Sequence, residues 1–295
     1  MQWWHAILLG VVEGLSEFLP ISSTGHLTVV EKLLGYPIDD AGITAFTAII
    51  QVGAILAAIL YFIKDIVRLA VAWFKGVLSK DARSNPDYRL GWGVIVGTIP
   101  IAIVGLALQK VIEGTLRSLW VVAAGLILWS VVLWLADRRS VRQDAPRSAG
   151  PRGEESMTVV DALVMGLWQC AALIPGVFRS GATISGGLFR GIDRVTATRW
   201  SFFLGIPALV AAGGLESVKA AKRLTAVAVT NQAGAVSLGT ATLIGTAVAF
   251  VVAYVSIAWL LRFVAHNRFT AFVIYRVLAG LAVVGLLVAG VVTSR

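Results

Sequence analysis

Residues 13–26, EGLSEFLPISSTGH, set carboxylates, hydroxyls and an imidazole inside a stretch otherwise as apolar as a membrane helix. Ionisable groups in such surroundings are costly to bury, which makes them functional candidates. Glu13 and Glu17 stand four apart, a spacing that stacks both carboxylates on one helix face. Together they could hold a hard divalent cation. The SSTGH run that follows offers the hydroxyls of Ser22, Ser23 and Thr24 and the ring of His26. A second cluster, PGVFRSGAT at 175–183, has the composition of an anion site. Arg179 presents a planar fork that stays charged when buried, Ser180 and Thr183 add donors, and Gly176 and Gly181 let backbone N–H groups approach the same oxygens. Charge neutralisation, a nucleophile or its activator, and an acid or base are the parts that phosphoryl transfer requires.

The elements that must position these residues follow from composition. The chain has 295 residues, 58% of them hydrophobic and 14% charged, with mean hydropathy +0.84, which marks an all-α integral membrane protein and excludes an ordinary soluble domain. Six apolar stretches approach the roughly 20 residues needed to cross a bilayer, near 43–63, 92–109, 118–136, 198–215, 234–261 and 270–293. The N-terminus has no basic region and no small-residue cleavage site, so it reads as retained, with Trp3 and Trp4 as interfacial anchors. The single cysteine, Cys170, excludes an intrachain disulfide. Net charge is +9, but the basic residues gather in loops beside the spans and set topology; no nucleic-acid partner is implied. The 64–90 loop carries six Lys or Arg and the 137–158 loop five, which makes these loops cytoplasmic and puts both termini outside. Arg190, Arg194 and Arg199 read as arginines reaching toward water, and Gln51 and Gln169 as buried amides bonded between helices.

Residues 3–35 and 159–194 are polar but too apolar for free loops, and each precedes three spans. GLSE at 14–17 echoes GLWQ at 166–169, and Pro20 echoes Pro175. An odd number of spans between the copies inverts the second, giving two repeats, 1–137 and 157–295, joined by a cytoplasmic linker at 138–156 on which no structure is expected. Each polar region reads as a re-entrant hairpin of two short helices, broken at Pro-Ile-Ser-Ser or Pro-Gly-Val-Phe, with the two tips meeting around a polar pocket. The same plan would suit a flippase or ion-coupled transporter, in which Arg179 binds a carried lipid phosphate. The Ser-Ser-Thr-Gly-His cluster favours an enzyme, since a carrier needs no nucleophile.

EGLSEFLPISSTGHL (13–27) and PGVFRSGATISGGL (175–188) strongly resemble the signature regions of the undecaprenyl-pyrophosphate phosphatases, the bacitracin-resistance family, and the resemblance extends over nearly the whole chain in length and span pattern. It implies a multi-pass enzyme of the bacterial inner membrane, its active site facing the periplasm. The implied reaction removes one phosphate from a polyprenyl pyrophosphate and recycles the lipid carrier for cell-wall synthesis. Membrane lipids are its surroundings, and a homodimer is compatible with it. Glu13 and Glu17 match the family's acidic motif, Ser23 and His26 its serine and histidine, and Arg179 the arginine of its second motif. On that footing Glu13 and Glu17 would hold Mg2+ or Ca2+, while Ser22, Thr24, Arg179, Ser180 and Thr183 would bind the substrate phosphates. Ser23 would be the nucleophile, with His26, three residues on, as its base or as acid to the leaving oxygen. Direct attack by water activated by Glu17, or by the His26 imidazole itself, stays open. One departure stands out: the family motif has serine immediately before the arginine, and this chain has Phe178.

Overall fold

The structure, a computed structural model, describes residues 1–37, 41–113, 116, 118–143, 150–224, 237–292 and 294. In chain order its helices are α1 (Trp3–Ser16), α2 (Ser23–Leu33), α3 (Ala41–Tyr61), α4 (Ile63–Leu78), α5 (Pro86–Glu113), α6 (Leu119–Gln143), α7 (Val159–Gln169), α8 (Arg179–Phe189), α9 (Arg194–Leu224), α10 (Leu238–His266) and α11 (Thr270–Val288). Among the described residues no strand forms; Arg152 and Ile192 make an isolated bridge. Among the described residues six helices, α3, α5, α6, α9, α10 and α11, are long and apolar enough to cross a membrane, and they fall on the six stretches expected.

The two polar regions are each a pair of short helices around a break. The pairs are α1 and α2, separated at 17–22, and α7 and α8, separated at 170–178. With 14 residues α1 is about 21 Å long, short of the ~30 Å hydrocarbon core; α2, α7 and α8 have 11 residues each.

The chain forms two compact units. The first comprises the described residues of Met1–Tyr61 and Leu209–Leu260. Its core gathers Leu9 of α1, Leu27 of α2, Phe46 and Ile50 of α3 and Ala249 of α10. Here α1 lies on α10 at backbone distance, because Gly10 and Gly14 replace side chains at the contact. A Cβ on Gly14 would stand 2.8 Å from the Ala249 carbonyl oxygen, the small-residue packing that membrane helices use where burial offers little drive.

The second unit comprises Phe62–Ala208 and Leu261–Ser294. In it α7 packs on α5, where Gly166 meets the Gly97 carbonyl with no room for a Cβ, while α11 packs on α6 and α8 contacts both α6 and α7.

Three expectations are corrected in this unit. Residues 64–90, read as a loop, contain α4 and a short 3-10 turn at Asp81–Ser84. Lys64, Asp65, Arg68 and Lys75 punctuate α4, but Ile63, Val67, Val71 and Phe74 make a continuous exposed apolar stripe along it, the pattern of a helix lying in the interface. The expected linker is also largely ordered: α6 runs on to Gln143, and only 144–149 lie outside the described residues. The Arg152 N–H donates to the Gly191 carbonyl at 2.9 Å, and its side chain reaches Asp161 at 2.6 Å. Arg190, Arg194 and Arg199 do not simply reach toward water, for each is paired: with Asp161 at 2.8 Å, Asp137 at 2.7 Å and Asp65 at 3.0 Å respectively.

Candidate active site

In the first unit the site is built where α1 gives way to α2. Glu17 caps α1, its N–H donating to the Glu13 carbonyl at 3.0 Å. Pro20 has no N–H to continue the ladder, and the chain turns back into helix at Ser23. Ser22, at the N-cap, is held at φ 82°, ψ 103°, a left-handed backbone that costs a non-glycine residue about 1–3 kcal/mol and persists only where its surroundings impose it. That turn delivers Ser23 to the preceding helix: its Oγ donates to Glu17 Oε2 at 2.7 Å. The Ser22 carbonyl lies 2.6 Å from His26 Nδ1. A carbonyl only accepts, so in this contact Nδ1 is the donor.

Glu13 is 1% exposed, and its Oε1 has no hydrogen-bond partner. It stands within electrostatic reach of Glu17 and of Glu31 on α2, itself buried. Glu31 was not expected from sequence, though a lone acid in the apolar VVEKL run carries the same signal of costly burial as Glu13. A buried carboxylate oxygen without a donor needs a proton or a cation, so Glu13 beside Glu17 fits a divalent ion. Among the described residues no group of three or more His, Cys, Asp or Glu could hold a metal. Two carboxylates with substrate oxygens and water completing the shell is the way Mg2+ is commonly held. The Thr24 side chain lies outside the described residues.

In the second unit α7 starts in a capping box, Thr158 and Asp161 bonding each other's backbone. It ends in a 3-10 turn at Cys170–Leu173, and the chain then bends at Gly176, φ 89°. A Cβ there would run into the Val122 carbonyl of α6, so the position demands glycine on both counts.

Helix α8 begins at Arg179, so the first-turn N–H groups of Arg179, Ser180 and Gly181 make a helix N-terminus, a ready anion site. The Arg179 guanidinium lies against the bare backbone of Gly205 in α9, where any side chain would overlap it. Ser180 is 1% exposed. Thr183 is fully buried and turns inward, its hydroxyl donating to the Arg179 carbonyl at 2.9 Å and lying 3.2 Å from Gln169 Oε1. Gln169 thus links α7 to α8, the interhelical amide expected of it; Gln51 is only half-buried.

The structure therefore joins Glu17 to Ser23 directly and keeps Glu13 within electrostatic reach of Glu17, with His26 tied to the same turn. The Ser23 proton is directed at Glu17, where His26 was the base expected. Arg179 and Thr183 are joined through a backbone carbonyl.

A family model described as bacitracin resistance protein BacA matches residues 6–282 of the chain. The chain is 59% identical over 296 residues, the full length of both, to the "Undecaprenyl-diphosphatase" of Cutibacterium acnes. It is 51% identical over 295 residues, again the full length of both, to "Undecaprenyl-diphosphatase 3" of Frankia casuarinae. To "Undecaprenyl-diphosphatase 1" of Streptomyces avermitilis it is 50% identical over 291 residues, 98% of each chain.

Proposed function

The chain belongs to the bacitracin resistance protein BacA family, and from that membership we propose that it hydrolyses undecaprenyl pyrophosphate to undecaprenyl phosphate and inorganic phosphate, recycling the carrier for cell-wall synthesis. It is a multi-pass membrane protein. The observation that carries the chemistry is the Ser23 hydroxyl donating to Glu17 at 2.7 Å at the start of α2. A hydroxyl bonded to a carboxylate is the arrangement of a nucleophile with its base, and a carrier has no use for it.

In this reading Ser23 Oγ attacks the terminal phosphorus while its proton passes to Glu17. The phosphoanhydride bond breaks, the electron pair leaves with undecaprenyl phosphate, and water then hydrolyses the phosphoserine. His26 Nε2 supplies or takes the accompanying proton. Arg179 and the N–H groups at the start of α8 offset charge on the transferring phosphoryl group. Glu13 and Glu17 would hold Mg2+ or Ca2+, which when bound neutralises phosphate charge.

The inverted-repeat reading is supported by matched contacts. In the first unit α1 meets α10, the second long span after α8; in the second unit α7 meets α5, the second long span after α2. The short helices support re-entrant hairpins, family membership supports the bacterial inner membrane with the site open to the periplasm, and the Lys and Arg distribution supports cytoplasmic 64–90 and 137–158 segments.

Purified protein given a polyprenyl pyrophosphate and a divalent cation should release inorganic phosphate, and Arg179→Ala should lower that release at least about 100-fold. Absence of release from the wild type would sink the phosphatase reading.

A further inference from the structure

Phe178 stands where the resembled motif has serine, and the structure gives its ring a place of its own. Phe178 is buried and folds over Gly181 so closely that a Cβ there would overlap the ring. The ring also meets the guanidinium of Arg276 in α11, 4.0 Å from the ring centroid. Arg276 is fully buried and has no acidic partner among the described residues. Its Nε donates to Ser130 Oγ at 3.1 Å. Its Nη2 donates to the carbonyls of Gly125 and Leu126, both at 3.2 Å, and of Gly176 at 3.0 Å. Nη1 has no hydrogen-bond partner.

A buried cation without an anion is expensive. Carbonyl dipoles offset part of that cost, and the negative face of an aromatic ring, whose attraction grows when both groups are desolvated, offsets more. The contacts of Arg276 converge on one short segment, holding Gly176 by hydrogen bond and Phe178 by its ring. The next residue is Arg179, pressed on Gly205. Any rotation of the Gly176–Phe178 turn would change the direction in which the Arg179 guanidinium points.

We propose that Phe178 and Arg276 are a positioning pair: their cation–π contact, with the bond from Arg276 to Gly176, fixes the turn that aims Arg179 at the substrate phosphates. Phe178 is thereby a working part of the turn, and its lack of a hydroxyl is no defect. The inference rests on the phosphate-binding role of Arg179 in the reaction proposed above.

The test replaces Phe178 with mono-, di- and trifluorophenylalanine, which weaken the ring's negative face in steps with little change of size. In the wild-type background kcat/KM should fall stepwise, to about a tenth at the trifluoro ring, while in an Arg276→Met background the series should be flat. Phe178→Ser should lower kcat/KM at least as far. A flat series in the wild-type background, an equal slope in both backgrounds, or a rise in turnover on Phe178→Ser would overturn the pair. If the unsubstituted protein releases no phosphate, the reaction is wrong. The contact is then judged by Tm, which should fall along the series only while Arg276 is present; no difference between backgrounds would dispose of it.

Discussion

At the scale of single residues, the site rests on the short bond between Ser23 and Glu17. Ser23→Ala removes the proposed nucleophile and Glu17→Gln its proposed base, so each should lower phosphate release from polyprenyl pyrophosphate by at least about 100-fold. Loss of less than tenfold in Ser23→Ala would instead assign the attack to water. The orphaned oxygen of Glu13 gives a second expectation. Chelation should abolish release, and Glu13→Gln should raise the Mg2+ or Ca2+ concentration giving half-maximal rate by about tenfold or more, since one of the two proposed anionic ligands is lost; an unchanged requirement would remove Glu13 from the proposed cation site. Glu13, Glu17 and Arg179 were legible in the sequence because charge in an apolar run has few structural excuses. The direction of a hydroxyl was not. Ser23 and Thr183 have similar chemistry on paper, yet one meets a carboxylate across a chain break and the other bonds back into its own helix. Only the path of the backbone separates them, through the left-handed Ser22 in one case and the regular turn of α8 in the other.

At the scale of elements, the long spans and the two breaks were readable from apolar length and from Pro20 and Pro175, whereas α4 was not. Its four charges dominate a count of Lys, Arg and acid residues and conceal the stripe of Ile63, Val67, Val71 and Phe74. The order of the linker was equally hidden, because Arg152 is anchored by Asp161, a residue outside it. Burial works against charge on Asp161, but hydrogen bonds from Arg152, Thr158 and Arg190 outweigh it and hold the carboxyl well below the ordinary carboxylate range. A depressed native pKa contributes stability that is fully present above the unfolded value, near 3.9, and is lost only as pH falls through the native one. The clamp should therefore hold undiminished from neutrality to about pH 5. Asp161→Asn should destabilise the protein by about 1–3 kcal/mol through weakened bonds to charged donors, read as a fall in Tm at pH 7 that narrows under strong acid. An equal deficit at every pH would mean that shape, and not charge, is what Asp161 supplies. Gly166→Ala should cost a similar amount by overpacking α7 against α5; a Tm within a degree of wild type would show that the two helices can separate freely.

At the scale of the whole molecule, the expected orientation can be checked by labelling. With Cys170 replaced by serine, Ser84→Cys should react with an impermeant maleimide only from the cytoplasmic side and Gly35→Cys only from the opposite side; the reverse would invert the assignment drawn from the basic loops. Arg276 bears on how the chain is made. An arginine at the centre of a span costs about 2.5–3.5 kcal/mol on insertion, and α11 follows α6, α7 and α8 in the chain. By then Ser130, Gly125, Gly176 and Phe178 have already been synthesised and can receive it. Helix α11 thus inserts with help from a prepared socket, and its arrival fastens the turn that carries Arg179. Until translation reaches residue 276 the nascent chain has its acids and hydroxyls but not the contacts that fix the proposed anion site, so the competence to bind phosphate is expected to appear only once α11 has joined α6 and α8.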